Sequence, residues 1–248
     1  MDLPRLSLEG RVALVTGGSR GIADVAVSSR KQEDLDKVAE RVRAEGRRAI
    51  AVAAHVGRLP QIRPLVDRVV SELGRLDILV NNAGTNFFAP AIDMEERAWD
   101  TVMNLDLKGL FFLSQAAARV MRDQGGGSIV NISSTSGLRV QVPTAHYSIA
   151  KAGVIMATKA MALEWAEYNI RVNCIAPGAI DTRLYDAIFA LMPEEEGKRA
   201  KAAAAAGVPM KRVGLPHEIA DGVLYLASDA STYVTGQTFA IDGGALLR

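Results

Sequence analysis

The chain has 248 residues, 49% of them hydrophobic and 23% charged, and its formal net charge at pH 7 is +1. This composition indicates a globular chain with a sizeable core, and the near-neutral charge argues against a general binder of nucleic acid or membrane surfaces. The single cysteine excludes an internal disulfide, and no cysteine–histidine cluster has metal-site spacing, so we expect no bound metal. No apolar leader and no run of about 18 apolar residues is present, which predicts a cytoplasmic protein without a membrane span.

Short runs rich in β-branched residues alternate with longer helical patterns along the whole chain. The runs predict strands at 12–16, 24–28, 49–53, 78–81, 128–133, 171–176 and 238–242. The helical patterns lie at 32–45, 61–72, 95–121, 146–168 and 217–227. This alternation is typical of an α/β fold, a doubly wound parallel sheet with helices on both faces. No change in composition marks a linker, so we expect a single domain over residues 1–248.

The segment 182–213 interrupts this alternation. It contains three glutamates at 194–196 and an alanine run at 202–206. Because alanine and lysine favour helix, we expect helices here. They form either a flap over a cleft, covering residues 183–210, or a solvated helical insertion.

The first strand leads into a glycine-rich turn, TGGSRGI (16–22), of the kind that opens a helix in dinucleotide-binding folds. The next strand pattern begins at once, at Asp24, although a parallel crossover normally takes a dozen or more residues. Without that helix the chain would lose the N-terminus that holds a pyrophosphate. One face of the sheet would also be left uncovered. A helix there would bury about 400 Å² of apolar surface, so its absence would cost about 10 kcal/mol of stability at about 25 cal/mol per Å². Either the printed sequence omits a segment that the molecule contains, or the deletion is real.

Five motifs in order resemble those of the short-chain dehydrogenases/reductases of the classical type. They are TGGSRGI (16–22), NNAG (81–84), a serine at 134 followed by YSIAK (147–151), RVNCIAPGAIDT (171–182) and TGQTFAIDGG (235–244). Shorter stretches, SSRK, HVG and TNFF, are similar to carbonyl-reductase and 3-oxoacyl-reductase-like members. The resemblance implies a Rossmann-like fold and an NAD(P)-dependent enzyme that moves a hydride between a nicotinamide and a carbonyl or alcohol. It also implies a homotetramer packed through helices 95–121 and 146–168, although helices buried within one subunit would show the same pattern.

Two side chains four residues apart, Tyr147 and Lys151, project from one face of a predicted helix. A nearby ammonium favours the phenolate form of a tyrosine and makes proton exchange easier near neutral pH. The resemblance assigns Tyr147 as general acid/base, with Lys151 tuning it and binding the nicotinamide ribose. Ser134 follows the strand 128–133, where its hydroxyl can hydrogen-bond a substrate carbonyl. Serine or threonine also stands at 133, 135 and 136, and the 13-residue spacing to the tyrosine favours 134.

The family usually adds an asparagine just before Leu-Lys-Gly, and MNLDLKGLFF places Asp106 there. Asn104 lies two residues earlier, more than half a helical turn away, so we do not expect it to substitute. A carboxylate accepts hydrogen bonds but cannot donate them. We therefore carry Asp106 into the catalytic set and leave open whether it supports a water-mediated proton relay.

Cofactor preference is indicated at the end of the second strand. An acid there commonly accepts from the ribose 2′-hydroxyl of NAD, whereas arginine accommodates a 2′-phosphate. Ser29 stands in the place of the acid, Arg30 follows it, and Arg20 adds a second guanidinium, so we favour NADP(H) over NAD(H). The alternative is that these basic residues are simply solvated. The resemblance places the cofactor against Gly17, Ser19, Arg20, Gly21, Ile22, Ser29, Arg30, Val56, Asn82, Ala83, Gly84, Tyr147, Lys151, Pro177, Gly178, Ile180 and Thr182.

Two functions are compatible with these patterns. The first is an oxidoreductase acting on a small-molecule carbonyl or alcohol, with no nucleic-acid or membrane partner. The second is a non-catalytic binding or scaffold relative, because the segment after Ile22 is missing. The substrate pocket is expected to be partly apolar, lined by the 183–210 flap and by Phe87, Phe88, Val140, Val142 and Leu184, although core packing would explain each aromatic equally well.

Overall fold

The computed structural model describes residues 6–17, 23–190 and 192–248, without the side chain of Arg183. Within these residues the strands are β1 (Val12–Thr16), β2 (Asp24–Ser29), β3 (Ala49–Ala53), β4 (Ile78–Asn81), β5 (Gly127–Ile132), β6 (Ile170–Pro177) and β7 (Thr238–Ile241). They form one sheet in the order β3-β2-β1-β4-β5-β6-β7, and every neighbouring pair is parallel. The predicted doubly wound parallel sheet is confirmed.

Helices cover both faces of this sheet. They are α1 (Gln32–Ala44), α2 (Ile62–Leu73), α3 (Glu96–Val102), α4 (Leu110–Asp123), α5 (Ala145–Trp165), α6 (Arg183–Phe189), α7 (Glu194–Gly207) and α8 (Pro216–Ala227). Residues of α2, α4 and α5 form the core on one face, and residues of α1 and α8 lie on the other. None of the helices in the described part of the chain is both long and apolar enough to cross a bilayer.

The strand side chains alternate between the two cores, as the two-residue period of a strand requires. On β1, Leu14 packs with the α2, α4 and α5 residues, and Ala13 packs with the α1 residues. On β4, Leu79 packs with the α2, α4 and α5 residues, and Ile78 packs with the α1 residues. Because both faces are covered, these strands contain nearly continuous apolar runs, which is why the sequence predicts them well.

Two predicted helical regions differ from a simple helix. The pattern at 95–121 is divided into α3, a π-helical segment at Met103–Gly109, and α4. Gly109 has no side chain, which lets this segment lie against the backbone of Val56. In the predicted flap region, α6 and α7 are helical, as alanine and lysine content indicates.

The β1–β2 connection is too short for a normal crossover helix. The two strands pair in parallel from Val12 with Asp24 to Thr16 with Ser28, so only residues 17–23 join them. Residues 18–22 of this connection lie outside the described residues. The expectation that one face of the sheet would lose its cover is wrong. Ala13, Val25 and Val80 are at most 6% exposed, because they share a core with residues of α1 and α8.

Candidate active site

A cavity of about 510 Å³ opens at the carboxyl ends of β4, β5 and β6. Its wall includes Asn82 and Gly84 after β4, Ser134 after β5, and Gly178 after β6. This is the edge where parallel α/β sheets bind their ligands, and the volume suits a small organic molecule. The cavity is therefore the candidate active site.

Tyr147 and Lys151 line this cavity together from one side of α5. The Lys151 Nζ atom lies 5.4 Å from the centroid of the Tyr147 ring. Nζ also donates a hydrogen bond of 3.1 Å to the main-chain oxygen of Ile132, at the end of β5. The helical spacing thus brings a phenol and an ammonium to one wall, as the sequence predicts.

Asp106 lies behind Lys151 and does not reach the cavity wall. Its side chain is fully buried, its Oδ1 accepts a 2.9 Å hydrogen bond from the Thr85 N–H, and its Oδ2 lies 3.1 Å from Lys151 Nζ. Oδ2 has no well-directed hydrogen bond in the described structure, so its contact with Lys151 is chiefly an ion pair. Because Asp106 is not part of the cavity wall, its influence on a reaction there would pass through its contact with Lys151.

Burial and charge shift both members of this pair. Burial raises the pKa of Asp106, and attraction to the Lys151 ammonium only partly offsets this. Burial also opposes the charged form of Lys151, but the Asp106 carboxylate outweighs it and the Lys151 pKa is raised. Lys151 therefore keeps its proton because Asp106 is beside it.

Gly84 of the NNAG motif makes room for the ion pair. A Cβ atom at Gly84 would lie 2.9 Å from Asp106 Oδ2 and 3.4 Å from Lys151 Nζ. Since Asp106 is fully buried, it has little freedom to move away. This glycine is needed by the ion pair as well as by the cavity.

The serine at position 134 is the better placed of two adjacent candidates. Ser133 Oγ is buried and donates 2.8 Å to the main-chain oxygen of Lys151. Both serines line the cavity, but the Ser134 Oγ accepts 3.1 Å from the Ser136 N–H, which leaves its own proton for a ligand. Gly137 completes this turn, because a side chain there would collide with the Lys151 backbone.

The proposed cofactor residues divide into four groups. Eight of them line the cavity: Asn82, Gly84, Tyr147, Lys151, Pro177, Gly178, Ile180 and Thr182. Gly17 has φ +77° and lies against the backbone of Ala83, which places both at the same edge of the sheet. Ser29 and Arg30 follow β2 outside this cavity, and the side chain of Val56 is buried in the core. Ser19, Arg20, Gly21 and Ile22 lie outside the described residues.

Several cavity residues carry no motif in the sequence. The wall includes Arg139 and Gln141 from the loop after Ser134, and Tyr185 from α6. Loop residues have no hydrophobic period, so only their short distance from Ser134 could have indicated them. The expected pocket residues Phe88, Val140 and Leu184 line the wall, but Phe87 and Val142 do not. Phe87 instead stacks on the buried His146, with ring centroids 6.5 Å apart.

Comparison with known proteins identifies the family. A family model described as enoyl-(acyl carrier protein) reductase matches residues 19–245. The 2-dehydro-3-deoxy-D-gluconate 5-dehydrogenase of Escherichia coli K12 is 39% identical over 259 aligned positions and all of both chains. The 3-oxoacyl-(acyl-carrier-protein) reductase of Thermotoga maritima is 38% identical, covering 98% of this chain and 100% of its own. A solved gluconate 5-dehydrogenase from Burkholderia cenocepacia J2315, in complex with NADP and tartrate, is 34% identical with a TM-score of 0.89 over 98% of both chains. The chain is a short-chain dehydrogenase/reductase.

As a short-chain dehydrogenase/reductase, the protein is an NAD(P)-dependent oxidoreductase that acts on CH–OH or C=O groups. The resemblance indicated by the five motifs is confirmed. The 259 aligned positions of the E. coli relative exceed the 248 residues of this short-chain dehydrogenase/reductase by 11. That difference is similar in size to one crossover helix.

Proposed function

We propose that the protein transfers a hydride between NADP(H) and a carbonyl/alcohol substrate, with Tyr147 as general acid/base. The observation that carries this proposal is the common wall formed by Ser134, Tyr147 and Lys151. These side chains supply a hydrogen-bond donor, a proton carrier and a cation at one place. The named relatives are dehydrogenases and reductases, which favours an enzyme over a non-catalytic scaffold.

In this proposal the side chains divide the reaction between them. In the reducing direction, the Tyr147 hydroxyl gives its proton to the substrate oxygen, and Ser134 Oγ donates a hydrogen bond to that oxygen. The Lys151 ammonium favours the phenolate that remains. Lys151 is held for this by Ile132 and Asp106. The nicotinamide, when bound, supplies or accepts the hydride.

The residues present fit a dinucleotide. At Gly17 a Cβ atom would lie 3.0 Å from Ala83 Cα, so a side chain does not fit here. A glycine at this position would let a cofactor approach the main chain at this edge of the sheet. The preference for NADP(H) is supported by basic groups after β2 and β3. Burial lowers the pKa of His55, and the positive charges of Arg30 and Arg58 lower it further. Both guanidinium groups therefore act on the same side chain, His55. No acidic side chain stands at Ser29 to accept from a 2′-hydroxyl.

The remaining expectations belong to the same proposal. We infer that α6 and α7 form a flap over the substrate, since α6 contributes Leu184 and Tyr185 to the cavity wall. We also infer a cytoplasmic homotetramer in which α4 and α5 pack between subunits. Exposed apolar side chains on those helices, among them Phe112, Met156 and Leu163, support this packing.

Replacing Tyr147 with phenylalanine tests the function. Tyr147→Phe keeps the ring and removes the proton carrier, so we expect a loss of about 10²–10⁴-fold in kcat with unchanged folding. The measurement is NADPH and NADH oxidation with a panel of carbonyl substrates, alongside circular dichroism. The control is Tyr233→Phe, because that side chain is fully exposed and far in sequence from the site. Undiminished turnover by Tyr147→Phe would reject the assignment.

A further inference from the structure

One part of the cavity wall is apolar. Two of its side chains, Leu184 and Ile188, are four residues apart on α6, so both project from one side of that helix into the cavity. Others come from the loop after β4, the loop after β5 and the segment after α7. We call these five residues the apolar set: Phe88, Val140, Leu184, Ile188 and Val208.

The loop after β4 and the loop after β5 are joined beside this set. The Ala89 N–H donates 3.0 Å to the main-chain oxygen of Pro143, and an isolated β-bridge pairs Ala89 with Thr144. Phe88 directly precedes Ala89, and Val140 lies three residues before Pro143. These two members of the set therefore stand on a joined pair of loops.

The loop after β5 is also linked to the end of α7. Arg139 donates to an oxygen of Arg248, and the Arg248 guanidinium donates 3.2 Å to the main-chain oxygen of Gly207, the last residue of α7. Val140 and Val208 are the next residues along the chain from Arg139 and Gly207. These links bring side chains from separate segments to one part of the wall.

Three members of the set are open to solvent although they line a cavity. Phe88, Val140 and Leu184 are 39%, 72% and 46% exposed. An apolar ligand that covers them removes apolar surface of both partners from water, which is favourable. Grouped apolar side chains at a concave site are typical of a ligand-binding groove.

Polar side chains from the same segments are engaged or enclosed within the protein. Gln141 Oε1 accepts 3.2 Å from Ser136 Oγ, and Arg139 is held as described above. The side-chain oxygens of Asn86 and Tyr185 are covered by protein atoms. This part of the wall therefore offers a substrate chiefly apolar contact.

We propose that the apolar set binds an alkyl chain of the substrate, so that the enzyme prefers ketones and secondary alcohols with an extended apolar chain to those with a short or polar one. This inference rests on the proposed function of the same cavity, in which Ser134 and Tyr147 bind the oxygen of the reacting carbon. Val140 lies six residues beyond Ser134, on the loop that both residues share. A chain on the reacting carbon then runs between the joined loops and α6.

A series of 2-alkanols tests this inference without requiring turnover. A 2-alkanol and NADPH are both already reduced, so their complex with the enzyme transfers no hydride. 2-Butanol, 2-hexanol and 2-octanol are titrated calorimetrically into the enzyme, with and without NADPH. We expect Kd to fall by about two- to fourfold for each CH₂ group that the apolar set covers.

A second pair of ligands keeps the chain length and changes its polarity. 5-Methoxy-2-pentanol has an ether oxygen where 2-heptanol has a CH₂ group. It should bind at least about fourfold more weakly than 2-heptanol, because it buries one apolar group fewer and one oxygen without a partner. Equal binding of the two would show that the wall does not select for an apolar chain.

Two valines on one loop provide a variant and its matched control. Val140→Asn and Leu184→Asn place an amide in the apolar set, and each should weaken 2-octanol binding by at least about threefold while leaving 2-butanol binding unchanged. Val142→Asn is the control, because Val142 is exposed on the same loop but is not part of the cavity wall. All three positions are exposed, so we expect the variants to fold, and circular dichroism checks this.

The outcomes separate this inference from the proposed function. Equal binding of all 2-alkanols, binding of none, or unchanged 2-octanol binding in both Val140→Asn and Leu184→Asn would overturn the role of the apolar set. An equally large loss in Val142→Asn would overturn it as well. Reduction of 2-butanone by NADPH that is lost in Tyr147→Phe would uphold the proposed function even without any effect of chain length. Binding that depends on chain length, without turnover, would uphold the apolar set alone.

Discussion

At the scale of single residues, the unusual feature is the carboxylate of Asp106, because the family resemblance implies an asparagine at this position. The structure gives that carboxylate a specific neighbour, since it is fully buried and 3.1 Å from Lys151 Nζ. A buried anion beside a buried cation is stable only while both are charged. The Asp106–Lys151 pair therefore controls how strongly the ammonium can act on Tyr147.

Replacing Asp106 with asparagine should move the pH profile of the enzyme. The change removes the attraction that raises the Lys151 pKa and leaves the burial that lowers it, so Lys151 loses its proton at a lower pH. Because the site then loses this cation at a lower pH, the pH optimum of alcohol oxidation in Asp106→Asn moves to lower values. An optimum identical to the wild type would contradict this role; Asp100→Asn, exposed on α3, is the control.

The cavity positions of the side chains that we propose as catalytic could be predicted from the sequence, because motif and spacing determine them. Tyr147 and Lys151 are one helical turn apart, and Ser134 follows a strand. The presence of Arg139 in the cavity wall could not be predicted, because this residue lies in a loop whose path depends on tertiary contacts. The position of Asp106 behind Lys151 depends on the π-helical segment Met103–Gly109. A hydrophobic pattern with a 3.6-residue period does not reveal the extra residue in such a turn, so this position could not be predicted either.

At the scale of secondary-structure elements, a line of buried amides joins the strands beneath the site to the helices that carry it. Asn81 on β4 donates to Asn131 on β5 at 2.9 Å and to Ser114 on α4 at 2.8 Å. Asn131 donates to Thr158 on α5 at 2.9 Å. These side chains are at most 3% exposed, so each hydrogen bond replaces one that water would have made. The network fixes α5, and with it Tyr147, against the sheet.

Removing the centre of this network should destabilise the fold. Asn131→Leu has a similar volume but removes the hydrogen bond that Asn81 donates to it and the one that Thr158 accepts from it, which leaves Asn81 bonded only to Ser114 and Thr158 only to the oxygen of Val154. We expect the free energy of unfolding to fall by about 0.5–1.5 kcal/mol for each of the two lost hydrogen bonds. Urea unfolding at constant m-value measures this. Gln115→Leu, half-buried on α4, should change stability by no more than about 0.5 kcal/mol. An Asn131→Leu protein as stable as the wild type would show that the network contributes little.

Strand positions agree well with prediction, and their ends differ from it by a residue or so. β5 begins one residue earlier than expected, at Gly127, because its N-terminal end pairs with Ile170 of β6. Pairing partners decide such ends, and a single strand pattern does not contain them. The helix patterns with a clear apolar face, such as α2, were equally well placed.

At the scale of the whole molecule, the sheet order is that of a dinucleotide-binding fold with a shortened first crossover. β1 and β2 keep their parallel pairing although only residues 17–23 join them. The core residues under α1 and α8 are buried, so the short connection does not cause the loss of stability expected for an uncovered sheet face. What a short connection still cannot supply is a helix N-terminus of normal length for a pyrophosphate.

Lengthening this connection should therefore improve nucleotide binding more than folding. An insertion of about 12 helix-forming residues after Ile22 restores a crossover of normal length. Its N-terminal N–H groups and dipole should tighten NADPH binding by about 2- to 30-fold, the range of about 0.3–2 kcal/mol for an anion at a helix N-terminus. Fluorescence titration measures the change, and a glycine–serine insertion of equal length is the control. Intact mass decides which protein is the natural one: 26.5 kDa is the mass of the printed sequence, and a protein heavier by about 1.2 kDa already contains such a segment. If the printed chain binds NADPH as tightly as the lengthened one, the crossover helix is dispensable for the cofactor.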